Sequence, residues 1–188
     1  MKKMTLLLGA LLSLVLISCT GDPGPPGRDG FDGAPGPPGP AGSTGTVVEF
    51  EADFTAANDY SILFDFLDNG LNVREDEVVL VYLSFEQLED NQGDIIDVWR
   101  LLPQTLILDQ GLLQYNYDFT FIDVNIFLDA DFNLAELAPG DVNAQYFRIV
   151  ILPAEFAQTA KMDVSNIGNV MDLLGLDEKD VKKIRLNP

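Results

Sequence analysis

The chain has 188 residues, with 11 Lys and Arg against 30 Asp and Glu, no His, one Cys and a formal net charge of −19. Without histidine, Ser-His-Asp and Cys-His nucleophilic sites and zinc centres of the Cys/His kind are excluded, and a lone cysteine excludes an intrachain disulfide. An acidic excess of this size repels nucleic acid and anionic membrane surfaces; it suits cations, basic partners or simple solubility.

Three unlike zones follow one another. Lys2, Lys3 and Arg28 balance Asp22, Asp29 and Asp32, so the 8 basic and 27 acidic side chains after residue 45 carry the whole charge. Lys2 and Lys3 open the first zone as a basic segment, and Leu6 to Ile17 form an apolar run too short to span a bilayer comfortably. It ends in Leu16-Ile17-Ser18-Cys19: an aliphatic residue, then a small one, directly before the cysteine. This layout resembles the lipobox of bacterial lipoprotein precursors. The resemblance implies cleavage after residue 18, lipidation of the Cys19 thiol and a mature N-terminus at residues 19–20. More than one acyl chain gives stable anchoring, at about 0.8 kcal/mol per buried methylene.

The second zone, residues 21–45, places Gly21, Gly24, Gly27, Gly30, Gly33, Gly36, Gly39, Gly42 and Gly45 at strict period three, with seven of the chain's eleven prolines between them. This is collagen composition, in which three polyproline II strands wind together and only glycine fits the axis. Eight triplets would make a stalk of roughly 70–75 Å. A single-chain extended spacer is the competing reading. One chain cannot form the triple helix, so a stalk requires a homotrimer. The order Gly27-Arg28-Asp29-Gly30 is not an Arg-Gly-Asp adhesion motif.

Signal, lipobox, short glycine repeat and small C-terminal domain together resemble the collagen-like lipoproteins of Bacteroidetes-type bacteria. The resemblance implies a cell-envelope protein held in the outer membrane by its lipid. Thr20, Gly21, Asp22 and Pro23 after the cysteine carry no charged export run, so the sequence does not select the surface or the periplasmic face.

The third zone, residues 46–188, reads as an acidic, mainly β head: an antiparallel sandwich or jelly-roll-like domain closed by short C-terminal helices. Thr46–Phe54 alternates, with Val48, Phe50, Ala52 and Phe54 opposite Val47, Glu49, Glu51 and Asp53. Val78–Gln87 and Ala144–Pro153 read as buried strands, and two further strands flank Pro103. The segment Tyr60–Gly70 fits a strand or a helical turn. Leu113, Tyr115, Tyr117, Phe119 and Phe121 share one face, after which the phase flips at Ile122 through a bulge or a short turn. Asp68-Asn69-Gly70, Asn91–Asp94, Asp109-Gln110-Gly111 and Pro139-Gly140-Asp141 are turn signals. Ile167, Val170, Met171 and Leu174 then set a helical stripe meant for core packing, capped by Ser165 or Asp163 and stopped at Gly175. Asp177 caps a second short helix, with Val181 and Ile184 inward and Lys179, Lys182, Lys183 and Arg185 near its end.

No constellation in the head commits to chemistry. Asp129, Asp131 and Asn133 have the opening spacing of a calcium loop, but Leu134 and Gly140 stand where glycine and glutamate belong. They are the weak metal candidates; no cofactor is expected, with calcium the one possibility named. Trp99, beside Arg100, reads as a core aromatic sooner than as part of a ligand face. Any enzyme built here would run on carboxylates, Lys, Tyr or an oxygen-ligated metal, and 27 carboxylates single out no pair. The expected role is therefore structural rather than enzymatic: a lipid-anchored stalk presenting a β head for adhesion or assembly. The alternative is a binding module for a glycan, a metal ion or a protein partner, with the repeat as spacer.

Overall fold

The computed structural model describes residues 45–153, 155–156 and 163–186. The signal segment, Cys19 and the glycines from Gly21 to Gly42 lie outside the described residues.

Alternation builds the first strand, β1 (Thr46–Ala52), one residue after Gly45. Val48 and Phe50 face one side and are buried; Val47 and Glu49 face the other and are buried as well. A short 3-10 turn at Ala56–Asn58 reverses the chain. It is held reciprocally: the Thr55 N–H donates to Asn58 Oδ1 at 2.8 Å and the Asn58 N–H to Thr55 Oγ1 at 3.3 Å. The ambiguous segment after it is a strand, β2 (Ser61–Asp65). Next come β3 (Val78–Glu89) and β4 (Ile95–Leu101), with a register shift between Ser84 and Glu86. Leu102 and Pro103 carry the chain out of this hairpin and into the other sheet, as β5 (Gln104–Leu108) and β6 (Gly111–Phe119). The phase flip after β6 is a turn, not a bulge. The Thr120 N–H donates to the Asp123 carbonyl at 2.9 Å, and β7 (Asp123–Ala130) returns beside β6. Pro139-Gly140-Asp141 opens a single helical turn, α1 (Pro139–Val142), because proline is preset for the first helical position. Then β8 (Gln145–Leu152) runs to Pro153.

With a last short strand, β9 (Lys182–Lys183), these strands form two sheets, ordered β4-β3-β8-β1-β9 and β2-β7-β6-β5. The first is mixed: β9 lies parallel to β1, with Val48 opposite Lys182 and Glu49 opposite Lys183. The other pairings are antiparallel. β1 pairs with β8 and β2 with β7, while β3–β4 and β5–β6 are hairpins. The domain is thus mainly β with two short C-terminal helices, and its first sheet departs from the purely antiparallel expectation at β9.

The sheets share one aromatic core. Phe50 of β1 stacks on Phe64 of β2 at 5.0 Å and on Phe147 of β8 at 5.5 Å. Phe54 meets the edges of Tyr115 and Phe147 at 6.1 and 5.9 Å. Each such ring contributes about 1.5–3 kcal/mol by leaving water.

A second cluster covers the outer face of the five-stranded sheet. Val47, Leu80, Tyr82, Val150 and Leu152 pack against Val170 and Leu174 of α2 (Ile167–Leu174). Leu174 meets this expected core role, and Met171 is buried with it. The cap does not follow the reading of the sequence: Asn166, not Ser165 or Asp163, accepts the N–H groups of Gly168 and Asn169 at 2.9 and 3.4 Å. Asp163 instead binds the Ser165 N–H and hydroxyl, at 3.0 and 2.6 Å. Gly175 ends the helix at φ +66°, a left-handed position that favours glycine. The segment after Asp177 is shorter than the expected helix. It makes one 3-10 turn, Glu178–Asp180, and then extends as β9, so Lys182 and Lys183 belong to a strand.

Candidate functional site

The most concentrated chemistry lies under that C-terminal cover. Glu49 on β1 and Arg148 on β8 are cross-strand partners, and each side chain is only 3% exposed. Arg148 Nη2 and Nε donate to Glu49 Oε2 at 2.6 and 3.2 Å. On its other side the guanidinium takes Glu178 bidentately, Nη1 to Oε1 and Nη2 to Oε2, both at 2.9 Å. Lys183 Nζ reaches Glu49 Oε1 at 3.2 Å. The Trp99 ring covers the guanidinium at 4.3 Å, and Met171 Sδ lies 3.7 Å from Nη1. Trp99 is therefore half-buried as a lid over a cation. Its neighbour Arg100 turns away, with its guanidinium 5.3 Å from the Phe85 ring.

Burial opposes the charge on Arg148, but the hydrogen bonds and charges of Glu178 and Glu49 outweigh it and hold the guanidinium above its ordinary value. The Glu49 carboxylate likewise holds the Lys183 ammonium above the usual lysine range. Every charge here is satisfied by another residue of the chain. The cluster is a clasp: it fastens the 3-10 turn to the outer face of the first sheet and ties β9 to its neighbour β1. Sequence reasoning set Glu49 opposite Val48 and Phe50 without assigning it a partner, and passed over Arg148. The signal was present in both cases, as a charge inside an apolar strand run, Val47-Val48-Glu49-Phe50 and Phe147-Arg148-Ile149-Val150.

The weak metal candidates lie at the end of β7 and just after it. Asp129 sits on β7. Asp131 Oδ1 accepts the Leu112 N–H at 2.8 Å, and Asn133 Oδ1 accepts the Ala135 N–H at 3.1 Å. Asp129 and Asp131 border a shallow depression of about 350 Å³ with Thr105 and Gln114. Among the described residues, no three acidic side chains converge in a way that would hold a metal ion.

A larger groove, of about 1090 Å³, runs along β2. One wall is β2 itself, and the other is the end of β1 with Arg185 and Leu186 beyond β9. Glu51, Asp53, Asp65 and Asp68 line it against the single guanidinium of Arg185. Asp53 and Asp65 each spend one oxygen on the backbone. Asp53 accepts the Ala144 N–H at 2.7 Å and Asp65 the Asp68 N–H at 2.9 Å.

Comparison of the chain with protein-family models, with curated proteins and with solved structures finds no match.

Proposed function

We propose that the chain is a lipid-anchored display protein of the cell envelope, whose collagen-like repeat carries the β head away from an outer membrane as a homotrimeric stalk. We read the head as a jelly-roll-like sandwich. Its nested β1–β8 and β2–β7 pairs follow that pattern, and the β3–β4 and β5–β6 hairpins replace its inner pairs. The head performs no catalysis; it presents a surface for adhesion or assembly.

One observation carries this reading. The last glycine of the ladder, Gly45, is followed at once by β1, which begins at Thr46. In the sequence no spacer separates the repeat from the head. A floppy tether would need no such junction. Gly45 also serves the head. A Cβ there would stand 2.6 Å from both Leu174 Cδ atoms and 3.0 Å from the Ile151 carbonyl oxygen.

Two measurements test the proposal. Metabolic labelling with a radioactive fatty acid should mark the wild-type chain and not Cys19→Ala; labelling of the variant would refute the anchor. Sedimentation of the mature chain, with and without residues 21–44, should give a trimer for the intact form. A monomer in both forms would refute the stalk.

A further inference from the structure

We infer that the free edge of β2 is a docking strand for an extended, cationic segment of a partner protein, which adds to the four-stranded sheet as a fifth strand. The inference is independent of the anchor and of the repeat.

Backbone geometry comes first. Among the described residues, β2 ends its sheet with β7 as its one neighbour. The Leu128 N–H donates to the Tyr60 carbonyl at 3.1 Å and the Phe66 N–H to the Ile122 carbonyl at 2.9 Å. With Ser61 opposite Phe127 and Asp65 opposite Asp123, the even-numbered residues therefore exchange hydrogen bonds with β7. The N–H and C=O groups of Ser61 and Leu63, and the N–H of Asp65, point to the open side. The Asp65 carbonyl on that side takes the Asn69 side-chain amide at 2.8 Å, and this marks where the free edge stops. Outward donors and acceptors two residues apart are what an added strand pairs with.

Natural edges are usually blunted by charge, proline, bulges or a covering segment. Here the middle of the edge is Leu63, 64% exposed, and the groove of about 1090 Å³ runs beside it. The groove wall selects the occupant. Four carboxylates against one guanidinium favour a strand bearing Lys or Arg. They disfavour a second copy of this chain, which brings a net charge of −19.

The test uses the full chain in non-ionic detergent and, as probe, a blocked synthetic peptide of alternating Lys and Val. Fluorescence anisotropy should show saturable binding that weakens as salt is raised. Three controls decide the mode. A Glu/Val peptide should not bind. The Lys/Val peptide N-methylated on alternate amides, prepared in both phases, should lose binding by about tenfold or more in one phase and keep it in the other. Leu63→Pro should lose binding to the same degree. Its N–H faces outward, so the change removes no bond to β7 and the fold should persist, as read from Trp99 fluorescence. Absence of Lys/Val binding overturns the proposal. Equal binding of the Lys/Val and Glu/Val peptides, or indifference to both methylation phases, overturns it too, since only diffuse charge attraction or apolar contact would remain. The methylation arm is run on the unaltered chain, so it decides the question even if Leu63→Pro fails to fold.

Discussion

Arg148→Met is the most informative single change. It leaves Glu49 at 3% exposure without its principal partner, while Glu178, 73% exposed, returns to water at little cost. Removing one member of a buried ion pair typically costs about 3–5 kcal/mol. Lys183 remains 3.2 Å from Glu49 and keeps part of the compensation. The expected loss is therefore near the lower end, about 3 kcal/mol, a large share of the roughly 5–15 kcal/mol that stabilises a domain. The double variant Glu49→Leu/Arg148→Met removes both charges and fills the space with apolar atoms. It should lie within about 1 kcal/mol of wild type or above it, as apolar replacements of buried pairs often do. Urea unfolding followed by the single tryptophan is a local assay, because the Trp99 ring lies on the guanidinium. If Arg148→Met costs under about 1 kcal/mol, or if the double variant is as damaged as the single one, the clasp is not what holds the C-terminal segment.

Three further outcomes are expected. Gly45→Ala should destabilise the head by about 1–3 kcal/mol through overpacking against Leu174 and Ile151, whereas Gly42→Ala should leave head melting unchanged; equal effects would place Gly45 with the repeat alone. Burial holds the phenols of Tyr82, Tyr115 and Tyr117 above their ordinary value, with charges of Tyr117 and Asp163 adding for Tyr82 and that of Asp141 for Tyr115. The unfolded chain thus loses these protons first, so the three phenols add no pH dependence well below about pH 10 and make stability fall above it. Phenolate absorbance from the three should rise only with unfolding, and early ionisation of all three in the folded chain would contradict their burial. Asp131→Ala should cost about 0.5–1.5 kcal/mol by orphaning the Leu112 N–H, equally with and without calcium; a calcium-dependent loss would restore the metal reading.

Much of the head was legible because local rules and tertiary packing agreed. Alternation in Thr46–Ala52, the apolar runs of β3 and β8, and the helical stripe from Ile167 to Leu174 each named an element and its buried face. Turn chemistry was less decisive: the same phase flip after Phe119 suits a bulge or a turn, and only the pairing of β6 with β7 makes it a turn. The outer face of β1 was left unassigned for a related reason. Alternation says that Val47 and Glu49 share a side, but not whether that side meets water.

From sequence alone came the zoning of the chain, the period-three glycine ladder behind Cys19, the exclusion of histidine and disulfide chemistry, and a β head with helical turns at its end. These are properties of residue identity and short-range spacing. Tertiary structure decided the rest. It paired β1 with β8 and with β9, set Glu49 against an arginine 99 residues away, and, among the described residues, left β2 without a second neighbour. Such pairings join segments far apart in the chain, where sequence periodicity carries no information about which edge or face will be covered.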